Sequence, residues 1–203
     1  FENTNGLDDT AKNHVTSARD IAIMSRELLG HEKITEYSSI WMDTIRNGEF
    51  GLTNTNRLVR FYKGANGLKT GSTSKAKFCI SASAERDGMT LICVTLGAPD
   101  DWNDHIALYE HGFSKVSLFK PSSPKLPLLP IAGGEKDDAL LTTVDPKPMV
   151  LLNDEQKKLS VLINLPQFMW APVLDGQTVG SVVYQIDGLV VQKVPIVIKN
   201  TVT

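Results

Sequence analysis

Apolar residues recur at positions 21, 24, 28 and 29 of "TSARDIAIMSRELL", with Ala18 and Ala22 beside them, and this spacing predicts a helix over 16–29. Ser17 with Asp20 three positions later reads as a capping box, and Gly30 supplies the stop. A second short helix is expected over 31–40. Residues 43–66 are rich in Asn, Gly and Thr and read as loops interrupted by "RLVRFY". From Leu68 the period shortens to two. In "FCISASA", Phe78, Ile80, Ala82 and Ala84 fall on one side, with Cys79, Ser81 and Ser83 on the other. "GMTLICVTLG" is almost continuously apolar, so 68–97 is expected to form three antiparallel strands buried under helices. Beyond them Trp102, Ile106, Tyr109 and Phe113 recur at helical spacing and predict an amphipathic helix. Strands bracketed by helices make an α+β sheet domain.

The texture then breaks. "KPSSPKLPLLP" holds four of the chain's ten prolines and marks a boundary, giving expected domains of 1–118 and 119–203. The second domain reads as β throughout, in short pieces rich in Val, Ile and Leu. Its Asp175-Gly176 and Asp187-Gly188 pairs are expected to turn hairpins, and the pattern is that of a small all-β sandwich. No long-period repeat is visible.

Composition narrows the function classes. Of 203 residues, 41% are apolar, enough for a core. Net charge is −2, which argues against a nucleic-acid surface. No apolar run is long enough for a membrane helix, and no signal peptide is visible. The chain opens on "FENTNG" without a methionine and is read as an internal piece of something longer. Cys79 and Cys93 fall on adjacent expected strands but on opposite sheet faces, so two unbridged, buried residues are expected.

The chemistry-bearing stretch is "GANGLKTGSTSKAKF". On a strand, period two places Lys69, Gly71 and Thr73 on one face, and Thr70 and Ser72 on the other. A lysine held there offers a fixed positive charge to a carboxylate or a developing oxyanion. Gly71 leaves the backbone bare for a ligand lying along the strand edge. The hydroxyls of Thr70 and Thr73 add hydrogen bonds to a carboxylate. The plainer reading of such a lysine is an exposed cation that blocks edge-to-edge pairing.

Context shifts that balance. "NTNRLVRFYKGANGLKTGSTSKAKFCISASAERDGMTLICVTLGA" resembles the third-motif region of the D-alanyl-D-alanine carboxypeptidases, the low-molecular-weight penicillin-binding proteins. "HVTSARDIAIMSREL" is similar to the helical segment before it, and the β-rich tail looks like that family's small C-terminal domain. The resemblance implies a transpeptidase/β-lactamase-like α+β fold and serine chemistry built on Ser-x-x-Lys, Ser-x-Asn and Lys-Thr-Gly motifs. The serine attacks a peptidoglycan stem peptide ending in D-Ala-D-Ala, and β-lactams are trapped as the acyl-enzyme. Lys69, Thr70 and Gly71 match the third motif. The resemblance makes Lys69 an electrostatic and proton-relay partner, the Ser72 N–H an oxyanion donor, and Thr70 and Thr73 carboxylate holders. No cofactor and no metal is implied.

Departures from the pattern are equally informative. The Ser-x-x-Lys at Ser122 to Lys125 lies in the proline-rich linker, where Pro124 forbids a regular helical turn. No Ser-x-Asn occurs. Where many members carry a carboxylate-holding arginine, this chain has "APDDWNDHIAL", and His105 is the candidate substitute; a histidine at a helix start also has a structural reading. His14, His31, His105 and His111 lack metal-ligand spacing. The Asp pairs at 8–9, 100–101 and 137–138 read as solvated turns, and Gly133-Gly134 lacks the strand-to-helix context of a phosphate loop.

The expectation is the C-terminal portion of a serine carboxypeptidase that acts outside the cytoplasmic membrane. A second chain carrying the upstream half is expected to accompany it and to supply the nucleophile; without it this chain is expected to be inactive. The resemblance also implies peripheral membrane attachment of the full-length protein. A serine β-lactamase relative, or a β domain serving as a stalk or protein-binding surface, remain alternatives.

Overall fold

The computed structural model describes residues 1–7 and 12–203, so the Asp8-Asp9 pair lies outside the described residues. The chain divides into two compact units, Phe1–Lys115 and Val116–Thr203.

In the first unit α1 (Ala18–Leu28) opens on the expected cap: the Ser17 hydroxyl accepts from the Asp20 N–H at 3.1 Å. After α2 (Glu32–Ser38) comes a hairpin of β1 (Met42–Ile45) and β2 (Phe50–Thr53), where loop was expected. All eight strand residues are exposed, so no buried face marked them out in the sequence. Arg46, Asn47 and Gly48 take positive φ at its tip. α3 (Leu58–Phe61) follows and leads into β3 (Ala65–Thr73), β4 (Lys77–Arg86) and β5 (Met89–Leu96), an antiparallel sheet in that spatial order. α4 (Asp101–Lys115) closes the unit.

Both faces of β4 are covered. On one, Ser25 of α1 meets Ser81 at 2.6 Å, both side chains buried. On the other, α4 lies so close that a Cβ on Gly112 would stand 2.9 Å from Leu91 Cδ1. The buried stripe of α4 is Asp101, His105, Tyr109 and Phe113, a strict i+4 row. The expected stripe is thus corrected at its first two positions: Trp102 and Ile106 are only half-buried. Asp101 is corrected too, since it is the buried first residue of α4 and not part of a solvated turn. Tyr62 stacks on Tyr109 with ring centroids 5.1 Å apart, and Arg86 lies 4.6 Å over the Phe113 ring while pairing with Glu110 at 2.6 Å. Cys79 and Cys93 are free, their cross-strand partners Leu96 and Ala82 lying an odd number of residues from each other's register.

The second unit contains β6 (Val116–Phe119), β7 (Leu129–Ala132), β8 (Asp138–Ala139), β9 (Leu141–Thr143), β10 (Met149–Leu152), β11 (Leu159–Asn164), β12 (Met169–Trp170), β13 (Thr178–Ile186) and β14 (Leu189–Ile198). They form a four-stranded sheet, β11-β13-β14-β9, a three-stranded sheet, β12-β7-β8, and the pair β10-β6. Leu129, Ile131 and Ala139 of the three-stranded sheet share a core cluster with Ile198 of the larger one. An α+β unit followed by a smaller β-rich unit is the fold class expected. Asp187-Gly188, both at positive φ, turns the β13–β14 hairpin. Asp175-Gly176 does not join paired strands. It closes a turn in which the Gln177 N–H bonds the Leu174 carbonyl, and the Gly176 N–H reaches Ile198. Among the described residues no helix is long and apolar enough to cross a membrane.

Candidate active site

The Lys-Thr-Gly sequence lies in the middle of β3, and β3 is an outer strand of its sheet. Its register is set by β4: Lys69 faces Ser81, Thr70 faces Ile80 and Gly71 faces Cys79. Lys69, Gly71 and Thr73 therefore share the face of the Ser25–Ser81 pair, and Thr70 and Ser72 share the face of α4.

The strand is pinned at its start. Ser38 of α2 donates to the Asn66 carbonyl at 2.5 Å, and Ser83 donates to the Asn66 side chain at 2.6 Å. Gly64 approaches β4 so closely that a Cβ there would lie 2.1 Å from the Glu85 carbonyl, and its φ of +92° suits glycine alone. By the third motif this support gives way to open space. Lys69, Gly71 and Ser72 are exposed, and a Cβ on Gly71 would meet nothing within 4 Å. A rigid strand start followed by a bare outer edge is a geometry along which an extended ligand can lie and pair.

The polar groups divide by availability. The Lys69 ammonium donates to the Thr70 carbonyl and has no ion pair among the described residues. Ser72 carries no side-chain hydrogen bond among them. The Thr70 hydroxyl is 2.6 Å from that of Thr55, and the Thr73 hydroxyl accepts from the Ala76 N–H at 2.9 Å. The Thr73 hydroxyl keeps its own proton to donate to a ligand, whereas Thr70 must release Thr55 to do so. Thr55 is a contact that strand periodicity could not have found, because it arrives from the loop before α3.

His105 is not at this edge. It is fully buried on α4, with Nε2 3.0 Å from the Thr95 hydroxyl of β5 and Nδ1 without a partner among the described residues. Burial pulls its pKa down from 6.5 to about 4, so the ring is neutral near pH 7. The expectation that His105 contacts a substrate carboxylate is corrected: the imidazole has neither exposure nor charge to do so. Ser122 is likewise no helical nucleophile. It sits in irregular chain, its carbonyl accepting from the Tyr184 hydroxyl at 3.2 Å.

These features define an α+β unit presenting Lys-Thr-Gly on an open edge strand, with a β-rich unit after it. Residues 1–100 match the family model for D-alanyl-D-alanine carboxypeptidase, and residues 113–203 match that for the C-terminal domain of penicillin-binding protein 5. The chain belongs to the D-alanyl-D-alanine carboxypeptidase family of low-molecular-weight penicillin-binding proteins.

Among individual relatives, the chain is similar to the D-alanyl-D-alanine carboxypeptidase DacF of Bacillus subtilis, at 34% identity over 98% of this chain and 53% of the relative. DacC of Escherichia coli is 28% identical over 100% of this chain and 52% of its own length. Penicillin binding protein 5 of Haemophilus influenzae superposes with a TM-score of 0.66 at 25% identity, covering 92% of this chain and 56% of that one. The chain thus spans about half the length of the curated relatives it matches.

Proposed function

We propose that these residues are the portion of a serine-type D-alanyl-D-alanine carboxypeptidase that presents the Lys-Thr-Gly strand to the reacting peptide. The observation that carries this reading is the open edge of β3, where Gly71 leaves free space beside the Lys69 cation. The substrate is a peptidoglycan stem peptide ending in D-Ala-D-Ala, and a β-lactam takes the same place. A serine oxygen bonds to the penultimate D-Ala carbonyl carbon, and the C–N bond to the terminal D-Ala breaks as its nitrogen takes up a proton. Water then hydrolyses the ester. Lys69 supplies positive charge beside the developing oxyanion and relays protons, and the Ser72 N–H donates to that oxygen. Thr73, and Thr70 on releasing Thr55, hold the terminal carboxylate.

The nucleophile comes from a segment beyond these residues, carried by an upstream half of the protein or by a second chain. Supporting this, Ile23, Met24 and Leu28 of α1 are 48%, 46% and 41% exposed, an apolar row that needs a cover. Action on peptidoglycan places the longer protein outside the cytoplasmic membrane, with peripheral attachment to it.

Intact mass before and after incubation with a penicillin tests the proposal. The Phe1–Thr203 chain alone gains no adduct, and the protein that includes the upstream segment gains one penicillin on that segment. An adduct on the Phe1–Thr203 chain, or none on the longer protein, overturns it. Lys69→Gln in the longer protein should slow adduct formation by roughly a hundredfold.

A further inference from the structure

On the Thr70 side of β3 the first unit holds an open cavity of about 960 Å³, to which neither the motif nor the acyl-transfer reading assigns a role. Its apolar lining is mainly aromatic: Trp41 from the chain before β1, Phe61 from the end of α3, and Trp102 from the first turn of α4, with Leu58 and Ile106 beside them. Trp41 and Phe61 meet edge to face, with ring centroids 6.0 Å apart. Phe61 is 72% exposed, far more than a core packing role requires. The polar lining is balanced in charge, with the Arg57 guanidinium, the Asp100 carboxylate and the Asn103 amide joined by Thr53, Asn54 and Thr55. Asn103 is held against Asp100 by bonds of 2.9 and 3.1 Å from its amide nitrogen, which leaves its amide oxygen free to accept. The Arg57 guanidinium has no hydrogen bond or ion pair among the described residues, although the Arg57 carbonyl accepts from the Arg60 and Phe61 N–H groups.

We infer that this cavity is a saccharide-binding site. A pyranose ring has faces of C–H groups, which pack on aromatic rings, and a rim of hydroxyls, each of which both donates and accepts. Three aromatic rings beside one cluster of donors and one of acceptors match that division. The guanidinium and carboxylate cancel, which favours a ligand without net charge.

The cavity reaches the Lys-Thr-Gly strand through one contact. Thr55 lines it, and its hydroxyl is 2.6 Å from that of Thr70. A sugar bound there would sit across β3 from Lys69, so the glycan and stem peptide of one peptidoglycan unit would straddle the strand. The identity of the natural sugar rests on the carboxypeptidase reading; binding itself does not.

The test is tryptophan emission of the Phe1–Thr203 chain during titration with chitotriose, in a Trp170→Phe background that leaves the two cavity indoles as the only reporters. Saturable change is expected, with cellotriose weaker if the acetamido groups are read. Phe61→Ala, at an exposed position that tolerates truncation, should weaken chitotriose by roughly tenfold, as should Arg57→Gln. Saturation-transfer NMR on the same samples provides a readout independent of emission. Absence of saturable binding by both methods overturns the inference, and so does binding that Phe61→Ala and Arg57→Gln leave unchanged. Neither result bears on penicillin adduct formation, so failure here and failure of the carboxypeptidase reading are separable.

Discussion

Acidification should destabilise the first unit through His105. The unfolded chain binds a proton on this ring around pH 6.5, whereas burial under the sheet holds the folded ring at about 4. Between those values the unfolded state carries the extra proton, so stability is undiminished above pH 6.5 and falls as pH drops towards 4. Each pKa unit between the two states is worth about 1.4 kcal/mol, so the loss by pH 4 is about 3 kcal/mol. That is a large share of the margin of an ordinary domain. The assay is urea unfolding from pH 7 to pH 4 of the native chain and of His105→Gln, taken as a difference. Contributions from every other group are common to both proteins and cancel. The difference should narrow by about 3 kcal/mol on acidification, and the imidazole should titrate near pH 4 by NMR. A difference that stays flat with pH, or a ring titrating near 6.5, would refute the burial argument and reopen a substrate-facing role.

Three further outcomes follow from particular contacts. Gly64→Ala must place a methyl against the Glu85 carbonyl at positive φ, and should cost more than about 2 kcal/mol in urea unfolding, with β3 the first strand to lose amide protection. Gly71→Ala meets open space, so unfolding should change by less than about 0.5 kcal/mol, while penicillin acylation of the longer protein slows; acylation at the native rate would argue against a ligand along that edge. Ile196→Ala empties a fully buried position of the β13–β14 core and should cost about 3 kcal/mol, read from the unfolding of the second unit.

Where period, capping chemistry or turn chemistry marks an element, the amino-acid pattern was enough. The Ser17 cap, the three strands over 68–97, the opposed cysteines and the Asp187-Gly188 turn follow from period, capping chemistry and turn chemistry alone. The β1–β2 hairpin was not legible because neither of its faces is buried. Lys69, Thr70 and Gly71 could be picked out because a cation, a hydroxyl and a glycine are adjacent in the chain.

Other features depend on distance in space, which no local pattern encodes. Helix α4 has two candidate apolar stripes, and the sheet chose the one that buries His105 and Asp101, since packing against β5 outweighs their polarity once Thr95 meets the ring. The same choice turned Trp102 outward, to join Trp41 and Phe61 from elements 61 and 41 residues away in the chain. Thr55 met Thr70 across 15 residues for the same reason. The sequence by itself determined which elements form and which motif they carry. Only tertiary packing decided which side chains share a site, because side-chain burial is settled by the surface an element meets and not by the element alone.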